Sequence, residues 1–475
     1  MTHFESRLSA HDIHTTLQKF WDLHQDPITC IGGAATTLLT IQYNLVIGTL
    51  TRINPAGHPD IHQLIEDLLS FKLIGQFCLT ELDHRLDAFN LETKATRLPN
   101  GKFMPPTVPV LGVPCTAIVF ARLFVDEEDL GPAMFLVPLN DGQTMYLGVT
   151  AKLLPPRGGS YSVNHALTTF HHVKLPSSSL LRIRTHSHFM DMIWRVAVGS
   201  LCLGSITIPA LQISAFIGIK YGQRRSVESK SKSGSCRSPL LSISTHQKPV
   251  FTALAQAFVM KAFAIWAISI FADASIDHQI RRGIAACTKA VMAQHAQSAH
   301  LAISDHCCAQ GLFAYNQLCN QHSEYRGISI AEGDLLETVA DLVRGRYNLP
   351  APYNGEHLVS KHDDAIINEV LELLSSTDNP VEAFSRHVLP RCLHVIKSIG
   401  HRMAYEAAVG SNVPACLVDM YLCHVIELDI AWYVEIGLVS RANLSQWTEE
   451  NIVEIGNNIQ LYTYLVCYCC VLVSI

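Results

Sequence analysis

Thr80–Thr96 reads TELDHRLDAFNLETKAT, and it stands where the texture of the chain changes. Upstream, from the N-terminus to about Phe77, the pattern is helical. Thr36–Leu50 carries Leu38, Ile41, Leu45 and Ile47 with no proline, which predicts a helix packed on both sides. Downstream, from Gln76 to about Leu181, the run TAIVFARLFV (Thr116–Val125) is β-branched and aromatic, and Met134–Leu139 is a second short apolar run. Asn140-Asp141-Gly142 supplies tight-turn chemistry, and Pro and Gly cluster at Pro105–Pro114 and Pro155–Gly159, as between short strands. Helical texture returns at His186 and persists. Gly222–Lys248, with SVESKSKSGSCRS, is expected as a flexible surface loop between two long helices, and a second break falls at Tyr347–Glu356. The predicted fold class is α+β, mostly α. It comprises an N-terminal helical region (1–75), a small central β-domain (76–185), a helical bundle (186–348) and a further helical block (349–475).

At 475 residues the chain exceeds one hydrophobic core. A hydrophobic content of 48% against 16% charged residues argues for a large interior and against disorder. The formal net charge of -6, with no basic block beyond a short Lys/Ser run near Lys230, argues against a nucleic-acid binder. The first ten residues are polar and lack the apolar core of a secretion signal, so the 15 cysteines read as reduced thiols. Met192–Ile219 and Val250–Ala272 are apolar enough to suggest membrane spans. Arg195, Pro209 and Lys261 within them favour helices buried in a bundle, so no stable membrane insertion is expected. Ile459–Ile475 is the more ambiguous run. Its Cys467, Cys469 and Cys470 match no zinc spacing. His387, His394 and His401 recur every seven residues, too far apart on one helix for a single ion, so no metal is expected.

Thr80–Thr96 resembles the acyl-CoA oxidase signature T-E-L-G-H-G-T-N-x-x-G-L-E-T-x-A-T, matching roughly half its positions without a gap. Four further resemblances follow in the same order. GVTAKLLPPRGGS (Gly148–Ser160) is similar to the family's second β-domain stretch, and FHHVKLPSSSLL (Phe170–Leu181) to its exit from that domain. YGQRR (Tyr221–Arg225) resembles the Y-x-x-x-R that ends a long bundle helix. CCAQGL (Cys307–Leu312) and AEGD (Ala331–Asp334) resemble the C-G-G-x-G and F-E-G-D-N pair. On these residues the chain resembles the acyl-CoA oxidase and dehydrogenase flavoproteins, as a divergent, oxidase-like member.

The resemblance implies an FAD enzyme that introduces an α,β double bond into an acyl thioester. Thr80 maps onto the threonine that meets the flavin ring; on its own it reads as a residue at the end of a strand. Arg225, with Arg224 as the fallback, maps onto the arginine whose fork grips the cofactor pyrophosphate; on its own it reads as a solvated helix-end charge. Gln310 and Gly311 map onto the backbone segment that holds the cofactor of a neighbouring subunit, which implies a homodimer or higher homo-oligomer. Glu332 maps onto the catalytic base. Desaturation needs a base on one side of the carbon chain and a hydride acceptor on the other, and burial raises a carboxylate's basicity toward that task. Without the resemblance, Glu332 and Asp334 read as ordinary acids complementing a helix N-terminus.

Asp83 and Arg85 stand where the signature has glycine, and Lys102–Thr107 reads KFMPPT in place of K-W-W-P-G-G, so Pro106 has no N–H to donate. These departures keep open a flavin-fold protein that has lost redox chemistry and acts as a non-oxidative enzyme or binding scaffold. A helical membrane-associated protein, resting on Ile459–Ile475, ranks last. The C-terminal VLVSI lacks the S-K-L address, and Arg7-Leu8 with His14 loosely resembles an N-terminal peroxisomal signal, so a cytoplasmic or peroxisomal location is expected.

Overall fold

The computed structural model describes residues 8–82, 90–96, 99–103, 112–159, 163, 165–183, 189–231, 234–329, 356–375 and 379–470. Two compact units divide the chain, one of residues 1–23 and 32–199, the other of 24–31 and 200–475.

The first unit joins short helices to an eight-stranded sheet. Its strands are β1 (Ile74–Cys78), β2 (Lys94–Thr96), β3 (Pro99–Phe103), β4 (Cys115–Val125), β5 (Glu128–Asn140), β6 (Val149–Leu153), β7 (Ala166–Phe170) and β8 (Leu180–Leu181), in the order β6-β7-β3-β2-β4-β5-β8. β1 and β2 lie end to end along one edge of β4, both parallel to it, while β5 runs antiparallel along the other. Alternate residues Cys115, Ala117, Val119 and Ala121 of β4 enter one core with Phe135 and Val137. The intervening Thr116, Ile118 and Phe120 are buried too, which is why this strand reads as a continuous apolar run rather than an alternating one. At the β5 exit, Asn140 Oδ1 accepts from Gly142 N at 2.9 Å, and Asp141 Oδ1 accepts from Gln143 N and Thr144 N. Gly148, entering β6, has φ +85°, and a side chain there would meet the His171 carbonyl at 2.4 Å.

The expected helix over 36–50 forms as Gly33–Thr40, a π-helical stretch Ile41–Ile47, and Gly48–Leu50. Gln42, buried in the π-helical stretch, donates to the carbonyls of Leu68 and Leu73 at 2.9 and 3.0 Å and accepts from Gly75 N at 2.7 Å. One side chain thus satisfies three backbone groups and pins the helix to the start of β1. Arg195 is buried in the same unit. It donates from Nε to the Asn44 carbonyl and from Nη1 to the Ile13 carbonyl, directly over Gly48, where any Cβ would collide with its guanidinium.

The second unit is helical. From residue 200 the helix Trp194–Arg224 belongs to it, and with Ser244–Ala272 and His278–His306 it precedes Leu318–Ile328; the C-terminal block holds Leu358–Ser375, Cys392–Val409, Ala415–Leu428, Ile430–Glu435, Arg441–Asn457 and Ile459–Cys470. Trp194–Arg224 and Ser244–Ala272 are long and apolar enough to cross a membrane by length and composition, and 89% and 61% of their most apolar windows are buried in the protein. The described part of the C-terminal apolar run is a helix of 12 residues whose Tyr462 hydroxyl meets Cys416 Sγ at 3.3 Å.

One local expectation is corrected. The Ser/Lys/Gly stretch expected as a flexible loop forms an antiparallel hairpin, Ser226–Ser231 with Gly234–Pro239. Its ends are joined by the Leu240 N–H donating to the Arg225 carbonyl at 2.7 Å. Once two helices hold the ends that close, cross-pairing satisfies backbone groups that composition alone leaves to solvent.

Removing the Gln42 amide strips the Leu73 carbonyl and the Gly75 N–H of the partners it supplies, while the Leu68 carbonyl keeps the Phe71 N–H. Gln42→Leu is expected to lower stability by at least about 3 kcal/mol, read as a lower urea midpoint at unchanged slope. A second expectation concerns pH. His295, His300 and His401 are buried, and burial pushes His300 down to about 4, His401 to about 3 and His295 well below the ordinary imidazole value. The unfolded chain therefore binds more protons as pH falls below about 6.5, and stability is lost in that range. Asp363 acts in the opposite sense, because burial pushes its carboxyl up to about 7 against the opposing Arg402 charge. The depressed imidazoles, with His424 among them, outnumber the raised carboxyls of Asp363 and Asp419, so denaturation monitored from pH 7 to pH 5 should show a net loss of stability. His401→Leu should reduce that loss.

Candidate functional site

A cavity of about 760 Å³ lies within the second unit, in the size range of small-molecule sites. Its main wall is one face of the Trp194–Arg224 helix. Ile213, Phe216 and Ile217 come first, then Lys220, Tyr221, Arg224 and, just past the helix end, Arg225. The spacing of three and four residues puts all of them on one stripe, which runs from apolar to cationic toward the helix C-terminus. Cations suit that end, where unpaired carbonyls carry partial negative charge, and the Lys220 ammonium stands 5.7 Å from the Phe216 ring centre.

The opposite wall comes from three short elements. Pro27 and Cys30 belong to the 3-10 turn Pro27–Cys30, and Gln310 to the 3-10 turn Cys308–Leu312. Tyr315, Asn316 and Gln317 lie just before the Leu318–Ile328 helix, which contributes Gln321. Gln310 is held in place: its Oε1 accepts from the Tyr315 hydroxyl at 2.5 Å, and its carbonyl accepts from Asn316 Nδ2. Gln321 donates to the Cys30 carbonyl at 3.4 Å and pairs through Oε1 with His300 Nε2 at 2.8 Å. Burial raises Tyr221 above the ordinary phenol range and pushes Cys307 up to about 11, so both stay protonated at neutral pH. The described lining holds three cations and no acid.

Of the residues singled out from sequence, Arg225 and Gln310 therefore line one cavity, with Arg224 beside them. Gly311 is buried next to Gln310. A Cβ on it would stand 2.0 Å from the Ser304 carbonyl, and its own carbonyl accepts from Ser304 Oγ at 3.1 Å, so the glycine lets two backbone segments touch. Thr80 lies in the first unit, half-buried, two residues past β1. The neighbouring Glu81 is buried and accepts from the N–H groups of Glu92 and Thr93 at 2.7 and 2.8 Å, closing the signature segment on itself. Glu332, Asp83, Arg85 and Pro106 lie outside the described residues. Sequence reasoning missed the amides of Asn316, Gln317 and Gln321 and the contribution of Pro27 and Cys30. Only the helical period of the Ile213–Arg224 stripe was available as a signal, and it was read as bundle packing.

The lining fits the adenosine-diphosphate end of a dinucleotide such as FAD. Guanidinium and ammonium groups match phosphate oxygens, tyrosines offer stacking faces, and fixed amides offer both donors and acceptors.

No protein-family model matches the chain. Among curated proteins it is 30% identical over 127 residues to the acyl-coenzyme A oxidase-like protein of Mus musculus, a match that takes in 23% of this chain and only 19% of the relative's length. Among solved structures, acyl-CoA oxidase 1 of Yarrowia lipolytica superposes with a TM-score of 0.78 at 16% identity, covering 96% of this chain and 80% of that one. Acyl-CoA oxidase-1 of Caenorhabditis elegans, solved in complex with FAD and ATP, gives 0.69 at 16% identity, covering 97% and 82%. The element order set out above, helices, then a small sheet, then a long helical bundle with a further helical block, is thus the acyl-CoA oxidase fold in a divergent sequence.

Proposed function

We propose that this chain is an FAD-dependent oxidoreductase that introduces an α,β double bond into an acyl thioester. The observation that carries the reading is the cavity in which Lys220, Arg224, Arg225 and Gln310 line one volume at the end of the long helix, with no acid among its described lining residues. The shared fold and the partial sequence match support it.

In this reading Arg225, with Arg224 and Lys220, neutralises the cofactor diphosphate, and the Gln310 amide fixes its orientation. Gly311 keeps the Gln310 turn in place by permitting contact with Ser304. Bound FAD supplies the hydride acceptor at its N5. Thr80 donates toward the ring from the end of β1. Glu332 accepts the α-proton from the substrate on the side opposite the hydride acceptor. The Gln310–Gly311 turn serves a cofactor shared with a neighbouring copy, so the working unit is at least a homodimer. Oxygen is the preferred reoxidant, because the signature is oxidase-like. The acyl group of a specialised pathway fits as well as an ordinary fatty acyl chain.

A second reading is favoured by Asp83, Arg85 and Pro106, which replace glycines and an N–H donor near the expected ring site. It is a flavin-fold protein without redox chemistry, acting as a non-oxidative enzyme or scaffold.

Purified protein should show flavin absorption at roughly 370 and 450 nm, and a candidate acyl-CoA should bleach the longer band. Glu332→Gln should keep the colour and lose the bleaching; loss of colour as well would make Glu332 structural. A colourless protein that stays inactive with added FAD would favour the second reading. Arg225→Gln should weaken FAD binding by roughly ten- to a hundredfold, measured by flavin fluorescence titration, with melting behaviour of the apoprotein unchanged.

A further inference from the structure

The C-terminal helical block holds a convergence of ligating atoms that neither the cavity nor the proposed chemistry uses. His362 lies on the Leu358–Ser375 helix, His394 on the Cys392–Val409 helix, and Asp429 between the Ala415–Leu428 and Ile430–Glu435 helices. Both imidazoles point Nε2 at the same carboxylate oxygen. His362 Nε2 is 2.9 Å from Asp429 Oδ2, and His394 Nε2 is 3.5 Å from it. One ligand atom from each residue lies within 4.8 Å of the other two.

We propose that His362, His394 and Asp429 form a binding site for a zinc-class divalent ion that ties three helical segments together. Ligand atoms about 2.1 Å from a tetrahedral ion stand roughly 3.3–3.5 Å from one another, so His362 and Asp429 must part slightly, His394 and Asp429 already fit, and the two imidazole nitrogens, within 4.8 Å, need at most a modest closing. Two imidazoles with one carboxylate suit zinc or its neighbours and not calcium or magnesium, which take oxygen ligands. The site is built as well as convergent. His362 is only 7% exposed, and its ring is stacked on Tyr433 at 5.2 Å and 16° and meets the edge of Trp432 at 4.8 Å. These contacts fix the direction of its ring before any ion arrives. The His394 side chain is 44% exposed and that of Asp429 28%, which gives the ion an entry path and leaves the fourth position to water. The seven-residue histidine spacing concerns one ion shared along a single helix and does not bear on this set. The partners of His394 come from other helices, with His362 and Asp429 67 positions apart.

A simpler arrangement competes, with Asp429 accepting hydrogen bonds from both rings and no ion. Full-length protein stripped with chelator and then titrated with zinc distinguishes the two. The proposal expects one saturable equivalent by calorimetry and a rise in melting temperature that saturates at the same point. Cobalt(II) should give the intense visible bands of a four-coordinate ion. His394→Ala removes a largely exposed side chain, and Asp429→Asn keeps the shape of its residue. Each should fold as the parent by circular dichroism and weaken zinc binding by at least about a hundredfold, since even outer partners of metal ligands are worth ten- to a hundredfold. Wild-type protein with no saturable zinc binding overturns the proposal. So does parent-like zinc binding by both variants, which would place the ion on other histidines.

Discussion

Three cations gather at the C-terminal end of one helix, Lys220 and Arg224 in its last turns and Arg225 just beyond, and the local arrangement of the second unit accommodates them. Lys220, Arg224 and Arg225 carry like charge, and among the described residues no carboxylate lines the cavity they face. Two features make the cluster tolerable without a bound anion. The helix ends there, so its terminal carbonyls attract positive charge. The chain then turns straight into the Ser226–Pro239 hairpin, whose closing bond from Leu240 to the Arg225 carbonyl keeps Arg225 exposed and beyond the helix instead of folding it back. A phosphate-bearing ligand, as proposed, would offset the remaining positive charge. A site left incomplete electrostatically is costly to maintain in a structure that has no use for it.

The apolar half of the same stripe matters as much. Ile213, Phe216 and Ile217 sit one and two turns before the cations, so the wall presents a hydrophobic patch leading to a charged rim. A small inorganic anion would use only the rim. A ligand with an aromatic or aliphatic body and a diphosphate uses both, and the amide and phenol groups across the cavity add directional contacts.

Local signals are legible in the sequence, and contacts between distant segments are not. The turn at Asn140–Gly142, the β4 run and the end of the long helix at YGQRR all depend on neighbours within a few residues, and each stands where the pattern put it. The hairpin at Ser226–Pro239 was missed because its stability comes from closure by two helices, which composition does not encode. Gly311 was singled out for backbone approach to a cofactor; the contact that demands glycine there is with Ser304, seven residues earlier. Gln42 carries no motif at all, yet it settles three backbone groups drawn from two other elements. At the cavity, Arg225 and Gln310 were legible only through family resemblance. The Pro27–Cys30 turn enters the same wall through a tertiary contact invisible to any local window.

The C-terminal block shows why a polar residue on a helix is hard to interpret from spacing. His401 packs its ring 5.2 Å from His295, while His394, two turns earlier, faces Asp429 and His362. Asp363, adjacent to His362 but on another side of its helix, lies 3.1 Å from Arg402 and accepts from Ser398. Glu406 pairs with His357 at 2.9 Å. The charged pairs satisfy groups that would be expensive to bury alone, and they tie together helical segments that hydrophobic contact by itself would allow to slide. Apolar packing sets how close these helices come. The polar pairs select one register among the many that apolar packing permits, so truncating one partner should loosen helix order more than it removes contact area.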